Sequence, residues 1–172
     1  MRRELARILL CLLFAAPVQA GGDTPSQRVV LGWVEYLHVG STGWRIKAKL
    51  DSGANTASMH AENIERFERD GAPWVRFTVD LENHGKEKRQ VFERPLARDV
   101  LIKNHAGPSD RRPVVEMDFC LGGETHTAEF SLVDRSRFIY PVLLGRRFLA
   151  DVALIDPGNE FVGPGGCEQG AG

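Results

Sequence analysis

"IKAKLDSGANTASMHA", Ile46 to Ala61, decides how this chain is read. Trp44, Ile46, Ala48 and Leu50 alternate with polar neighbours, the period of a strand with one buried face. The strand stops at Asp51, and Ser52, Gly53 and Ala54 follow at once. Asp-Ser-Gly is ordinary turn composition. It is also what a catalytic carboxylate needs. Two carboxyl groups a few ångströms apart cannot both ionise, so one keeps a proton to donate to a peptide carbonyl while the other activates a water. A hydroxyl beside the carboxylate braces such a loop, glycine admits close backbone approach, and alanine leaves room. On the tripeptide alone both readings stand.

Outward from this stretch, the chain reads as short β-type runs broken by turn residues. "RVVLGWVEYL" is one run. "WVRFTVDL" sets Val75, Phe77, Val79 and Leu81 on one face. "RPVVEMDFCLGGETHTAEFSLVD" reads as a hairpin turning at Gly122-Gly123, and "YPVLLG" as a strand buried on both faces. "RRFLADV" fits a short helix, "ENIERFERDG" a helical turn ended by Gly71, and "ALIDPGNEFV" a last strand or two. Residues 82–112 form a polar middle with room for two more short strands, either a solvated excursion or a loop covering a site. The class is all-β, a small closed barrel with one or two short helices.

At the start, Arg2, Arg3 and Arg7 precede the apolar run "ILLCLLFAA" and the small-residue end "PVQA", the layout of a secretory signal peptide over 1–20. The apolar run is too short to span a bilayer, which takes roughly 20 residues. Residues 21–28 read as a flexible linker, 29–162 as the domain and 163–172 as a disordered tail. The expected compartment is the periplasm. Cleavage after Ala20 takes three of the 22 basic and one of the 23 acidic residues, leaving 19 against 22 and a net charge near −3. The remaining bases are scattered among acids, which argues against a nucleic-acid partner. Export permits Cys120 and Cys167 to pair. The surroundings of Cys120 read as those of a small buried apolar residue, so the pairing stays open.

The five histidines are spread along the chain without HExxH, and no CxxC accompanies them, so no metal is expected. There is no GxSxG elbow for a nucleophilic serine and no phosphate-binding loop. No cofactor is called for.

Together, "LGW" at 31–33, "KAKLDSGANTASMHA" at 47–61, "WVRF" at 74–77, "RPVV" at 112–115, "LVDRSRFIYPVLLGRRFL" at 132–149 and "IDP" at 155–157 resemble the retropepsin-like aspartic proteases. The closer resemblance is to the bacterial family labelled ATP-dependent zinc proteases. It runs over residues 29–162. It implies that Asp51 is the catalytic aspartate and that Ser52, Gly53 and Ala54 complete its loop. Gly145 would touch that loop from behind and Arg146 would tie the base of the site. Retropepsins supply one aspartate per chain, so the active form would be a homodimer hydrolysing peptides, its two Asp51 residues meeting at the two-fold axis. Asn55 and Thr56 stand where viral relatives often carry acids, so the partner of Arg146 must differ. No glycine-rich flap follows the viral type. The polar middle would serve as the lid, with Lys103, His105, Asp110 and Arg112 near substrate. Asp156 in "LIDPG" echoes Asp51, but Pro157 lacks the hydroxyl and N–H such a loop uses, and a strand-end turn is expected there. Relatives are associated with ligases that add glutamates; export would separate this chain from such partners, so their substrate is not carried over. Two rival readings are a non-catalytic peptide-binding module on the same barrel and a zinc hydrolase using His60, His105 or His126 with a carboxylate.

Overall fold

The computed structural model describes residues 28–39, 44–103, 108–165 and 167. Residues 1–20, read as a signal peptide, all of the linker but Arg28, residues 40–43 and His105 lie outside the described residues, as does most of the tail.

The "RVVLGWVEYL" run divides at Trp33 into β1 (Val29–Gly32) and β2 (Val34–His38). The strand read from the opening stretch is β3 (Arg45–Asp51), and β4 (Ala57–His60) follows the Asp-Ser-Gly loop. Then come β5 (Glu62–Arg69), β6 (Ala72–Asn83), β7 (Lys86–Pro95), β8 (Arg98–Ile102), β9 (Asp110–Leu121) and β10 (Glu124–Val133). After β11 (Val142–Gly145) the chain makes its one described helix, α1 (Arg146–Val152), and ends on β12 (Ala153–Asp156).

Six strands close on themselves in the order β3–β11–β4–β10–β9–β2 and back to β3. The alternation that defines β3 points Ile46, Ala48 and Leu50 inward, where they meet Met59, Val142, Leu144, Phe130 and Leu132, all at most 3% exposed. Closure removes the unpaired edges an open sheet would carry. β5, β6 and β7 form an antiparallel meander attached to the barrel where Glu82 pairs with Arg45. β1 pairs in parallel with β12, Val29 opposite Ala153.

One expectation is corrected. "ENIERFERDG" is not a helical turn but the edge strand β5 and the tip of its hairpin with β6. Asp70 and Gly71 have φ of 52° and 76°, the positive pair that a two-residue hairpin turn demands and Asp-Gly supplies. Asn63, at φ 51°, marks the bulge that shifts the register between Glu62 and Glu65. The two strands allowed for in the polar middle are β7 and β8. Cys120 is buried, and it is bonded to Cys167, with their Cα atoms 5.6 Å apart. The glycine-rich segment is further held where Val162 and Gly163 donate their N–H groups to the buried Glu35 carboxylate, which also accepts from Gly32.

Candidate active site

Asp51 is the last residue of β3 and lies opposite Gly145 of β11 in the parallel ladder. The chain must turn sharply there and pass over β11 to enter β4. Gly145 makes this possible, because a Cβ at that position would fall 2.6 Å from the Thr56 carbonyl oxygen. The first backbone groups of α1 then fasten the loop from below. Arg146 N–H donates to Ala54 O at 2.9 Å, and Arg147 N–H to Asn55 O at 3.2 Å. The Arg146 guanidinium donates to Gly53 O at 3.0 Å. A carbonyl thus takes the place of the acidic partner whose absence was noted in the sequence. The structure brings Asp51, Ser52, Gly53, Ala54, Gly145 and Arg146 together.

The carboxylate itself is oriented by two donors. Oδ1 accepts the Gly53 N–H at 3.0 Å, and Oδ2 accepts the Lys49 ammonium at 3.0 Å. Lys49 stands two residues before Asp51, so strand alternation sets both on the outer barrel face, away from Ala48 and Leu50. The Lys49 hydrogen bond is the main cause holding the Asp51 carboxyl below its ordinary range; burial works against it, and the Gly53 and Ala54 N–H groups assist. The Ser52 side chain is exposed and makes no side-chain hydrogen bond among the described residues. Beside the site, Trp33 accepts the Leu50 N–H through its carbonyl and sets its ring edge-on to Tyr140, centroids 5.6 Å apart.

Three of the expected lid residues lie on or beside the β8–β9 hairpin. Asp110 and Arg112 lie on β9 in the hairpin with β8, opposite Ile102 and Val100, and pair with each other at 2.6 Å. Lys103 is exposed where β8 ends. Among the described residues no hydrogen bond or ion pair joins these three to the Asp51 loop. Asp156 ends β12 with its oxygens on Gly158 N–H and the Asn159 amide, both at 2.8 Å. It organises a turn, with no lysine beside it.

Two histidines of the zinc reading, His60 and His126, have local employment. His60 Nδ1 accepts the Arg135 N–H at 2.8 Å, and His126 Nε2 contacts Leu121 O at 3.1 Å with its ring against Phe148. Among the described residues no three His, Cys, Asp or Glu side chains converge as a metal site would require. Sequence reading missed Lys49, a charge it assigned to the solvent face, although "KAKLD" placed it in phase with Asp51.

A closed six-stranded barrel that presents one clamped Asp-Ser-Gly loop at a strand end is a retropepsin-like fold. The family model described as RimB-like, "Retropepsin-like aspartic endopeptidase RimB", matches residues 30–165, and the chain belongs to that family. A probable alpha-L-glutamate ligase of Shewanella pealeana is 36% identical over 116 residues, 67% of this chain and 25% of that protein. A probable alpha-L-glutamate ligase of Desulfotalea psychrophila is 35% identical over 125 residues, 73% of this chain and 26% of that protein. This chain therefore spans about a quarter of the curated relatives it matches. The crystal structure of Lpg0085 from Legionella pneumophila, a protein of unknown function, superposes with a TM-score of 0.65 at 35% identity. It covers 78% of this chain and 97% of that one.

Proposed function

We propose that this protein is an exported aspartic endopeptidase whose active form is a homodimer, with Asp51 of each protomer facing the other across the two-fold axis. The carrying observation is the Asp51 carboxylate, held at a strand tip by Gly53 and Lys49 on a loop clamped by Gly145 and Arg146, in a chain of this family. An ionised Asp51 takes a proton from a bound water as the water oxygen attacks the peptide carbonyl carbon. Collapse of the tetrahedral adduct breaks the C–N bond, and the departing nitrogen takes the proton. Two carboxylates brought together repel, and one ordinarily holds a proton. Here each brings its own ammonium, so the charge of the assembled site is largely offset. Ser52, whose side chain makes no hydrogen bond among the described residues, is free to brace the facing loop. The leader-like residues 1–20 support export to the periplasm.

The ligase name of the relatives describes proteins about four times the length of the shared region, and ligation is not carried to this chain. The Lys49 contact favours one second reading, a peptide-binding module whose aspartate is already neutralised within its own protomer. A peptide library incubated with the mature protein across pH 4–8 separates the two. Cleavage abolished by Asp51→Asn, with the variant still folded, is the expected result. Cleavage that survives Asp51→Asn overturns the peptidase reading, and peptide binding without cleavage at any pH establishes the module.

A further inference from the structure

Phe161 stands where the backbone does not suit it. Its φ is 55°, a left-handed conformation that a bulky side chain rarely adopts. The other described non-glycine residues with positive φ are Asn63, Asp70 and His84, types enriched in that conformation, and they sit in a bulge or a hairpin turn. At Phe161 the turn serves Glu35. The Phe161 N–H donates to Val34 O at 2.9 Å, and the next two N–H groups, of Val162 and Gly163, swing to the Glu35 carboxylate at 3.0 and 2.9 Å. Glycine or asparagine would make that turn with less strain. Backbone in a sparsely populated region persists only when its surroundings fix it, and such residues gather at ligand-binding sites. Here the surroundings are Glu35 on one side and the Cys120–Cys167 bridge beyond.

The ring is 41% exposed, and it ends a stack. The Arg45 guanidinium lies 3.8 Å over Tyr36, and Phe161 stacks on Tyr36 with centroids 4.7 Å apart. A guanidinium on the same side of Tyr36 as Phe161 would lie over both rings. Among the described cations only Lys47 is near both, at 5.9 and 5.7 Å, so Arg45 and Phe161 cover opposite faces of Tyr36. Lys47, equally far from the two rings, stands beside the stack rather than on it. The place of the stack relative to Asp51 follows from the ladder. Tyr36 pairs with Lys47 across β2 and β3, and paired residues share a face. Lys47, Lys49 and Asp51 alternate with the buried Ile46, Ala48 and Leu50, so the stack and the Asp51 carboxylate belong to one face of the sheet. From Lys47 to Asp51 the strand covers about 13 Å, roughly the length of four residues of extended peptide.

We propose that Phe161, backed by Tyr36, is an aromatic platform for an apolar or aromatic side chain of the peptide, about four residues from the bond that Asp51 cleaves. An apolar occupant fits because the open surface is apolar, Phe161 being continued by Val162 at 46% exposure, while Arg45 behind the stack is engaged by Glu82 at 3.1 Å. Tyr36 and the tethered backbone fix the ring in place, so a side chain that stacks on it meets a surface already ordered. The proposal deepens the peptidase reading and rests on it for the course of the peptide past Asp51.

The test uses peptides of equal length and charge in which a single Phe is moved along the sequence, each with a partner carrying Ala in its place. With the mature protein, Phe placed about four residues from the cut, located by mass spectrometry, is expected to raise kcat/KM roughly 10-fold over Ala. Phe161→Gly removes the ring and suits the backbone. It should collapse the ratio at that placement toward one, through the KM of the Phe peptide, and leave the ratios at other placements standing. Phe161→Tyr should restore it. A ring that only covers Tyr36 would, when removed, lower the Phe and Ala peptides alike. If Phe161→Gly does not fold by circular dichroism, Phe161→Asn takes its place, since asparagine tolerates the same φ; if neither folds, the wild-type profile decides. A wild-type ratio near one at that placement, or one unchanged in a folded variant, overturns the platform. Binding of the same peptides to Asp51→Asn, with and without Phe161→Gly, separates the two claims. Phe-selective, Phe161-dependent binding without any wild-type cleavage sustains the platform and sinks the peptidase reading. Cleavage without that preference does the reverse, and neither binding nor cleavage overturns the platform.

Discussion

At the residue scale the site turns on a carboxylate and an ammonium two positions apart. Asp51 has a folded pKa below its unfolded value. The stability it contributes is therefore present above the ordinary carboxylate pKa, about 4, and is lost as pH falls through the lower folded value. The pair is partly exposed, at 40% for Lys49 and 25% for Asp51, so its contribution is screened and below about 1 kcal/mol. In the proposed reaction its weight lies in the ionisation of Asp51. Lys49→Met should let Asp51 protonate at higher pH, moving the acid limb of the kcat/KM profile upward. An unmoved limb would show that Lys49 does not set the ionisation of Asp51. Asp51 was visible as a candidate from its loop composition. Lys49 was not, because a lysine alternating with buried residues looks the same whether it faces water or a carboxylate.

At the element scale the loop depends on β11 and α1. A methyl group at Gly145 would meet the Thr56 backbone at 2.6–2.8 Å, and Gly145, held in the β11–β3 ladder, has little room to yield. Gly145→Ala should cost about 1–3 kcal/mol in denaturant unfolding and depress activity beyond that loss, because the displaced loop carries Asp51. Equal stability and activity to wild type would show that β11 moves aside. The strands β3 and β6 were legible because each buries one face and keeps strict alternation. β5 was not. Its side chains are nearly all exposed, and Arg66, Arg69 and Arg76 serve ion pairs with Asp99, Glu93 and Glu65, so no apolar period marked it. Only Asp70-Gly71 signalled the hairpin.

At the scale of the whole molecule, two long-range ties hold the C-terminal segment against the barrel. The Cys120–Cys167 bridge spans 47 residues, and Glu35 collects three backbone N–H groups from both ends of the domain. Reduction, or the double change of both cysteines to serine, should lower stability by about 2–4 kcal/mol, read as a drop in Tm; an unchanged Tm would mean that Glu35 alone holds the segment. The proposed dimer makes specific activity concentration-dependent. Dilution should lower it in step with the dimer fraction seen by sedimentation, and activity that stays proportional to protein while only monomer sediments would refute the shared site. The barrel was legible from the alternation of its strands. The pairing of the cysteines was not, because only the fold brings Cys167 beside β9.

The partnership of β1 with β12 has a consequence for how the chain comes into being. The first strand of the domain waits for the last: Val29 has no ladder partner until Ala153 has left the ribosome. Closing so large a loop lays its entropy cost before the reward. The two-stranded sheet of β1 and β12 therefore forms last during synthesis, after all six strands of the barrel have emerged.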